Sequence, residues 1–281
     1  MLDSVLDWIA RLRGERRAVG FVATSTTDRG LVRGDNQDAF ACVPEEGFLC
    51  VADGMGGGEG GALASEWTSA ALLEAWRAGA AEALEAREAR LNEALQEVNG
   101  RIRAHAKEKG YRMMGTTLAA VLHDCVGGGY RARIVHVGDS RVYRYRLGRL
   151  DVLTRDHTVG NELGSALAKT SADEADSLRS RGNPLTHILT RAVGTEMRVR
   201  PEWKTVDVQR GDRYLLCSDG VHDMLSDAEI SVILKESSSP RAAMARIEAA
   251  VRSAGAGDNY TILCAWAGGR SPLRGQAKKG S

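Results

Sequence analysis

The chain has 281 residues, 43% of them hydrophobic, so it can bury the core of one large domain and disorder is not expected. Its 38 lysines and arginines nearly balance its 37 aspartates and glutamates, so charge gives no argument for binding nucleic acid or an anionic membrane. The five cysteines form no CxxC pair, and no apolar run approaches the roughly 18 residues of a membrane span. We therefore expect a cytoplasmic protein without a membrane span, with a monomer as the default state.

The two ends of the chain differ from the middle. Residues 1–16 carry apolar side chains at helical spacing, which predicts an N-terminal amphipathic helix. This helix either packs on the rest of the chain or docks on a partner. Residues 268–281 are polar and basic, and we expect a flexible tail there. A single domain over residues 17–267 lies between these segments.

Within that domain, strand hairpins alternate with pairs of helices. DAFACV and FLCVA are separated by a turn, and two helical stretches follow, over 62–76 and about 84–102. Residues 156–195 are polar and mixed, which indicates an inserted lobe. Capping boxes, SADE at 171–174 and SDAE at 226–229, predict two helix starts. The pattern favours an α+β fold in which antiparallel sheet is layered with helices.

Aspartates recur at the ends of the predicted strands. Asp53, Asp139 and Asp219 each follow an apolar strand, whereas Asp38 and Asp258 precede one. In an antiparallel sheet the start of one strand lies beside the end of its neighbour, so all five carboxylates can share one rim. Any single Asp-Gly pair can be an ordinary turn, but five such positions together indicate a site.

A rim of like charges needs cations, because carboxylates in a low-dielectric pocket repel one another by several kcal/mol. Oxygen ligands without nearby cysteine or paired histidine favour Mg²⁺ or Mn²⁺ over Zn²⁺. The sequence therefore predicts a site for hard divalent cations.

In these same segments the chain resembles the metal-dependent protein phosphatase family (PPM, or type 2C), bacterial branch. Eight motifs carry the resemblance in the family's order: RGDNQDA at 33–39, VADGMGG at 51–57, MGTTLAAVL at 114–122, VHVGDSRVYRYR at 135–146, LTRDHT at 153–158, LTRAVGT at 189–195, CSDGVHDML at 217–225 and GDNYTIL at 257–263. The resemblance implies a four-layer αββα sandwich, with two antiparallel sheets flanked by antiparallel helix pairs. It also implies that the lobe at 156–195 is a flap near the active site.

The resemblance also implies roles for the residues that hold the metal ions. Asp53 matches the carboxylate that bridges two ions, and Gly54 offers its carbonyl to one of them. Asp219 and Asp258 match ligands of the first ion. Asp38 matches an acidic position that supports the cluster through bound water.

Four further positions complete the predicted site. Asp139 and Asp223 match ligands of a third, weaker metal site that some members have. Arg33 matches the arginine that binds phosphate, a role that suits its planar fork of donors. Asn259, next to Asp258, is expected to support the site.

The implied activity is hydrolysis of phosphoserine and phosphothreonine by water activated between two Mn²⁺ or Mg²⁺ ions. With Asp53 and Asp219, Arg33 would form the catalytic set. The implied partners are phosphorylated proteins, including a bacterial Ser/Thr kinase and its targets, in signalling. Two alternatives remain open: a catalytically silent member that binds phosphoproteins as a signalling module, and a phosphohydrolase acting on nucleotides or nucleic acid.

Two positions depart from the pattern of many members. Met55 stands where many, chiefly eukaryotic, members have a histidine proposed to protonate the leaving group, and Gln37 stands where some have a metal-binding glutamate. We expect His157 and His222 to be structural or supporting groups, and His136 to pack in the core. Cys217 lacks the phosphate-cradling loop of cysteine phosphatases, so we expect a packing role for it.

Overall fold

A computed structural model describes residues 19–57, 59–123, 131–168, 170–180 and 183–270. The predicted N-terminal helix at 1–16 and the end of the predicted tail, 271–281, lie outside these residues. The last strand continues to residue 270, past the boundary predicted at 267.

Two antiparallel sheets form the centre of the described fold. In spatial order, sheet I contains β1 (Val19–Asp28), β11 (Tyr260–Arg270), β10 (Arg213–Cys217), β7 (Arg141–Arg146) and β8 (Arg149–Val152). Sheet II contains β2 (Asp38–Val43), β3 (Phe48–Met55), β5 (Leu118–His123), β6 (Arg131–Val137) and β9 (Glu202–Asp207), with the short β4 (Gly115–Thr116) paired to β3.

Seven α-helices lie in the described part of the chain. They are α1 (Glu59–Ala78), α2 (Leu84–Lys109), α3 (Val159–Leu167), α4 (Ala172–Arg179), α5 (Asp219–His222), α6 (Asp227–Glu236) and α7 (Pro240–Ser253). Two 3-10 turns, Pro44–Glu46 and Pro184–His187, complete the elements. No helix in the described ranges combines the length and apolarity needed to cross a membrane.

The strands alternate their side chains between two apolar layers, as the period of two requires. In β3, Leu49 and Val51 point between the sheets, into a core shared with Tyr214 and Leu263 of sheet I. Phe48 and Cys50 point the other way, into a second core that contains the buried faces of α1 and α2. A third core covers the outer face of sheet I with α6 and α7. The architecture is therefore the expected four-layer αββα sandwich.

The α1–α2 pair is antiparallel, as its ring contacts show. The guanidinium of Arg87 lies 3.1 Å from the ring centroid of Trp76, and that of Arg101 lies 3.8 Å from the ring of Trp67. As the residue number increases along α2, the number of the contacting residue in α1 decreases, so the two helices run in opposite directions. The buried stripe of α2 consists of the apolar residues that the sequence pattern singled out, Leu91, Leu95, Val98 and Ile102.

The lobe between β8 and β9 contains α3, α4 and the second 3-10 turn. Of the two predicted capping boxes, the one at Ser226 forms in full with Glu229. At Ser171 the predicted helix start is confirmed, but the predicted capping box is not formed, because the Ser171 hydroxyl accepts no capping hydrogen bond. The ψ angle of Ser171 is 101°, against 156° at Ser226, so the serine side chain is turned differently relative to the first turn.

Candidate metal centre

Strand pairing brings the predicted aspartates to one end of the sandwich. In sheet II, Asp38 at the start of β2 lies directly opposite Asp53 in β3. In sheet I, β10 ends at Cys217 opposite Ile262 of β11, so Asp219 lies near Asp258. Asp139 follows the end of β6.

A single cleft collects most of these groups. Its volume is about 640 Å³, and Asp53, Asp139, Asp219 and Asp258 line it together with Arg33. Gly54 and Asn259 line the same cleft. Two predicted residues lie beside it: Asp38 is buried behind Asp53, and Asp223 shares an adjacent cavity with Asp139.

Asp38 is held by hydroxyl groups from sheet I. Its Oδ2 accepts hydrogen bonds from Ser218 Oγ at 2.7 Å and Thr261 Oγ1 at 2.8 Å. Its Oδ1 is buried without a hydrogen-bond partner among the described residues, as is Oδ1 of Asp219. Two buried carboxylate oxygens thus lack donors in the same small region.

The backbone of Asp53 is fixed by the threonines of the MGTT motif. The amide of Asp53 donates to Thr117 Oγ1 at 2.9 Å, and its carbonyl accepts from Thr117 N at 2.8 Å and from Thr116 Oγ1 at 2.9 Å. Ser140 Oγ, beside Asp139, lies 2.7 Å from Thr117 Oγ1. The hydroxyls of Thr117 and Ser140 therefore connect β3 at Asp53 with the turn that carries Asp139.

Gly54 is a position where a side chain cannot fit. An added Cβ would lie 2.1 Å from the carbonyl oxygen of Gly61 and 2.6 Å from that of Gln37. The Gly54 amide also donates to Gln37 O at 3.0 Å. The close approach of α1 and the 29–37 loop to β3 thus requires glycine immediately after Asp53.

Burial and mutual repulsion make the carboxylates hard to ionise without a cation. Burial, followed by repulsion from Asp38 and Asp219, raises the pKa of Asp53 well above its ordinary value. Burial and repulsion from Asp219 raise the pKa of Asp139 in the same direction. Burial also raises the pKa of Asp38, to about 7, even though two hydroxyl donors lower it.

The donor set fits hard divalent cations. Carboxylate oxygens converge from both sheets, two of them lack donors, and a backbone carbonyl stands at Gly54. Mg²⁺ and Mn²⁺ favour such oxygen ligands, and a bound cation would restore the ionised form of these aspartates.

Arg33 lies at the mouth of the cleft. Its Nη2 donates to Asp258 Oδ2 at 2.7 Å, and its side chain is 58% exposed. Because a guanidinium has five donor hydrogens, this contact leaves others available to an incoming anion. The nearby Asp258 raises the pKa of Arg33 further, so the group stays charged.

Asn259 fastens the loop that carries Arg33. Its side-chain oxygen accepts from Gln37 N at 2.9 Å, and its Nδ2 donates to the carbonyls of Arg29 at 2.9 Å and Asp35 at 2.8 Å. These three contacts tie the 29–37 loop to the start of β11. They are consistent with the supporting position predicted for Asn259.

The surroundings of Asp223 include a histidine that the sequence patterns did not single out. His187, in the 3-10 turn of the lobe, has Nδ1 3.3 Å from Asp223 Oδ2, and it lines both cavities. His222 Nε2 lies 3.1 Å from the carbonyl of Asp139. Although burial raises the pKa of Asp223, the hydrogen bond from His222 and the two nearby histidine charges lower it overall. His187 was missed because it follows no strand and belongs to none of the eight motifs.

A second cluster contains His136, His157 and Glu202. The two rings stack with centroids 4.7 Å apart, and His157 Nε2 lies 3.1 Å from Glu202 Oε2. His157 Nδ1 accepts the Gly138 amide hydrogen at 3.1 Å, so the ring proton is on Nε2 and faces the glutamate. A protonated Nε2 offers no lone pair to a metal ion, and the cluster instead braces the turn before Asp139. This is the supporting role expected for His157, whereas His136 is buried beside it.

Comparison with known proteins agrees with this geometry. The sequence profile described as Protein phosphatase 2C matches residues 25–254. The serine/threonine phosphatase stp of Listeria welshimeri is 35% identical over 242 residues, which cover 84% of this chain and 92% of that protein. The serine/threonine protein phosphatase PstP of Mycobacterium tuberculosis is 36% identical over 242 residues, covering 85% of this chain and 43% of that protein.

A solved structure shows the same similarity in three dimensions. The catalytic domain of PstP in complex with two manganese ions aligns with a TM-score of 0.74 and 32% identity, covering 90% of this chain and all of that one (100%). The profile match spans most of the chain, and the curated relatives exceed 30% identity over more than two thirds of it. This chain therefore belongs to the protein phosphatase 2C family.

Proposed function

We propose that this chain is a metal-dependent phosphatase that hydrolyses phosphoserine and phosphothreonine esters in proteins. The names of its relatives, serine/threonine phosphatases, support this substrate class. The observation that carries the proposal is the convergence of a carboxylate cluster with an exposed guanidinium in one cleft. Asp53, Asp139, Asp219, Asp258 and Arg33 line that cleft, and Asp38 lies beside it, opposite Asp53.

The chain's own residues would hold two Mn²⁺ or Mg²⁺ ions, as the manganese-bound structure of PstP supports. Asp53 and the Gly54 carbonyl would contact the ions from sheet II, and Asp219 and Asp258 from sheet I. When bound, the ions supply a nucleophilic water near neutral pH and neutralise phosphoryl charge. Asp38 would stabilise the set from behind, because its Oδ2 is already fixed by two hydroxyl donors.

Arg33 would bind and orient the phosphoryl group. Its exposed guanidinium can donate two parallel hydrogen bonds to phosphate oxygens, a geometry that a lysine cannot reproduce. Asn259 would keep Arg33 in place by holding its loop. A third, weaker cation site would use Asp139 and Asp223, which share the adjacent cavity.

A cysteine nucleophile does not fit this cleft. Cys217 is fully buried, and burial raises the pKa of its thiol, so it stays a protonated packing group. A catalytically silent role in phosphoprotein binding is also not favoured. A silent member is expected to have lost metal-binding aspartates, and every aspartate matched above is present.

The cellular setting and the limits of the catalytic domain belong to the same proposal. We infer a single catalytic domain with the flap lobe at about 156–195. The predicted bounds are 17–267, whereas the described sandwich begins at Val19 and ends at Arg270, so we place the C-terminal end of the domain at or beyond residue 270. The four described cysteines are free, which supports a reducing cytoplasm.

Both outer faces of the sandwich are covered by helices of the same chain, which supports a monomer. Because removal of phosphate from serine and threonine opposes a Ser/Thr kinase, we propose such a kinase and its targets as the signalling partners.

Phosphate release from a phosphothreonine peptide, measured with Mn²⁺ and again with excess EDTA, tests the proposal. We expect release only with the metal, and much slower release from the matched phosphotyrosine peptide. Release that continues unchanged in EDTA would refute the metal-dependent mechanism.

A further inference from the structure

The metal cleft has an apolar lining that phosphate hydrolysis itself does not use. Met55, Met113, Ile188 and Leu189 line it together with the carboxylates. Its volume of about 640 Å³ lies in the range of pockets that enclose a whole organic ligand, so the cleft has room for more than a phosphate group. The apolar side chains therefore face whatever is attached to that phosphate.

Two of these side chains are exposed although they are large and apolar. Met113 is 52% exposed and Ile188 is 50% exposed. Scattered single apolar residues on a surface need no explanation, but a group of them in a functional cleft marks a contact surface. Here they share a cleft with Arg33 and the metal-binding aspartates.

The backbone holds Met113 firmly beside the glycine turn that follows Asp53. A Cβ added to Gly56 would lie 2.2 Å from the Met113 carbonyl oxygen, so these two segments are in direct contact. Met55, two residues after Asp53, has its terminal methyl next to Gly115, where an added Cβ would lie 3.1 Å away. Met55 and Met113 therefore form one apolar patch, next to the segment that carries Asp53.

The lobe provides the other apolar patch. The Ile188 carbonyl accepts from Val159 N at 2.9 Å, and Leu189 forms a bridge with Thr158, so the lobe backbone is anchored at this point. Ile188 directly follows His187, whose ring contacts Asp223. This patch therefore also lies next to a predicted metal ligand.

We propose that the preferred substrate is an extended phosphopeptide with an apolar side chain within two positions of the phosphorylated residue, and that this side chain packs on Met113 or Ile188. The inference rests on the phosphatase function proposed above. Contact with one apolar group commonly changes kcat/KM by about 10-fold or more. Met113 and Ile188 are then specificity-determining residues, separate from the residues that hold the metal ions.

A phosphothreonine peptide series tests this inference. Each peptide carries either leucine or serine at one of the two positions before or after the phosphothreonine, and the leucine-to-serine ratio of kcat/KM is measured for each enzyme. We expect a ratio of about 10 at one or more positions for the unmodified chain. In the Met113→Ser, Ile188→Ser double variant, the ratio should fall to about 1, because the apolar surfaces that contact the leucine are gone. A general loss of rate would affect both peptides equally and would not change the ratio.

Matched controls come from exposed apolar residues that do not line the cleft. Met197 is 77% exposed and Val232 is 48% exposed, so Met197→Ser and Val232→Ser make comparable surface changes elsewhere. Both should keep the leucine preference. A ratio near 1 in the unmodified chain, or a preference that survives in the double variant, would overturn the inference. EDTA-sensitive release without leucine preference would leave the phosphatase proposal standing, whereas no release from any peptide would overturn both.

Discussion

Two of the clustered carboxylates are positioned by hydroxyl groups from distant parts of the chain: the side chain of Asp38 by Ser218 and Thr261, and the backbone of Asp53 by Thr117. Asp38 and Asp53 meet because β2 and β3 pair in register, a placement that strand-end aspartates in an antiparallel sheet already predicted. The hydroxyls of Thr117 and Ser218 could not be foreseen as their partners. The Ser218–Asp38 contact spans 180 residues, and no local pattern encodes it.

At the residue scale, Asp219→Asn tests the metal-binding cluster. Loss of a direct ligand should lower kcat by more than the roughly 10–100-fold that follows loss of an outer-shell partner. The metal-free variant should melt at the same temperature as the parent or higher, because one repelling charge is gone. Steady-state kinetics and thermal melting monitored by circular dichroism check both. Retained turnover would contradict the assignment of Asp219.

Arg33→Ala tests phosphate binding by the guanidinium. A hydrogen bond to a charged group contributes about 1.5–3 kcal/mol, so KM for a phosphothreonine peptide should rise by roughly 10–100-fold. Arg33→Lys should reverse only part of this rise in KM, since lysine lacks the planar fork of donors. Arg198→Ala, an exposed change outside the cleft, is the control. A KM that stays at the parent value with a normal rate would exclude this role for Arg33.

At the scale of elements, local sequence patterns predicted the positions of helices and strands well. They predicted the hydrogen bonding at the helix ends less well. The one-faced apolar pattern of α2 and the alternation in β3 correspond to the observed cores, because each face has one apolar layer to meet. Two similar four-residue motifs gave different helix caps, at Ser171 and Ser226. Whether the cap forms depends on the backbone angles of the serine, which the surrounding structure determines and the four-residue motif does not.

Leu95→Ala tests the packing of α2 on sheet II. Leu95 is completely buried in the second core, so its truncation should lower the free energy of unfolding by about 2–5 kcal/mol. Glu93→Ala, on the exposed face of the same helix, should change it by less than about 0.5 kcal/mol. Urea unfolding of both variants measures the difference. Equal stability of the two variants would contradict the buried position of Leu95.

At the scale of the whole molecule, the site lies where the two sheets of the sandwich meet, so metal binding and folding are linked. Asp38 and Asp53 come from sheet II, whereas Asp219 and Asp258 come from the sheet I side. Repulsion among them opposes closure of this end of the sandwich, and cations would remove that repulsion.

This linkage predicts that the thermal stability of the metal-free protein falls as the pH rises. Burial and repulsion raise the pKa of Asp53 and Asp139, and that of Asp38 to about 7. A carboxyl with a raised folded-state pKa takes up more protons when folded, so its contribution to stability is lost as pH rises from about 4 through the folded value. Tm in EDTA should therefore fall between about pH 5 and pH 7.5.

Mn²⁺ should raise Tm more at the higher pH, because ionised carboxylates bind the cation and protons compete with it at the lower pH. The Asp53→Asn variant should show a flatter profile in EDTA, since one of the shifted groups is gone. Differential scanning calorimetry in matched buffers measures all of these values. A metal-free Tm that climbs steadily over the same range would contradict the linkage.

The most direct measurement is an isothermal titration of the metal-free chain with Mn²⁺, because it counts the ions that the carboxylate cluster holds. We expect about two ions to bind with clear heats, as in the manganese-bound PstP structure, and a third to bind more weakly. Asp53→Asn should lose both of the tighter sites together. Unchanged uptake in Asp53→Asn, or no uptake by the parent chain, would show that these aspartates do not form a metal centre.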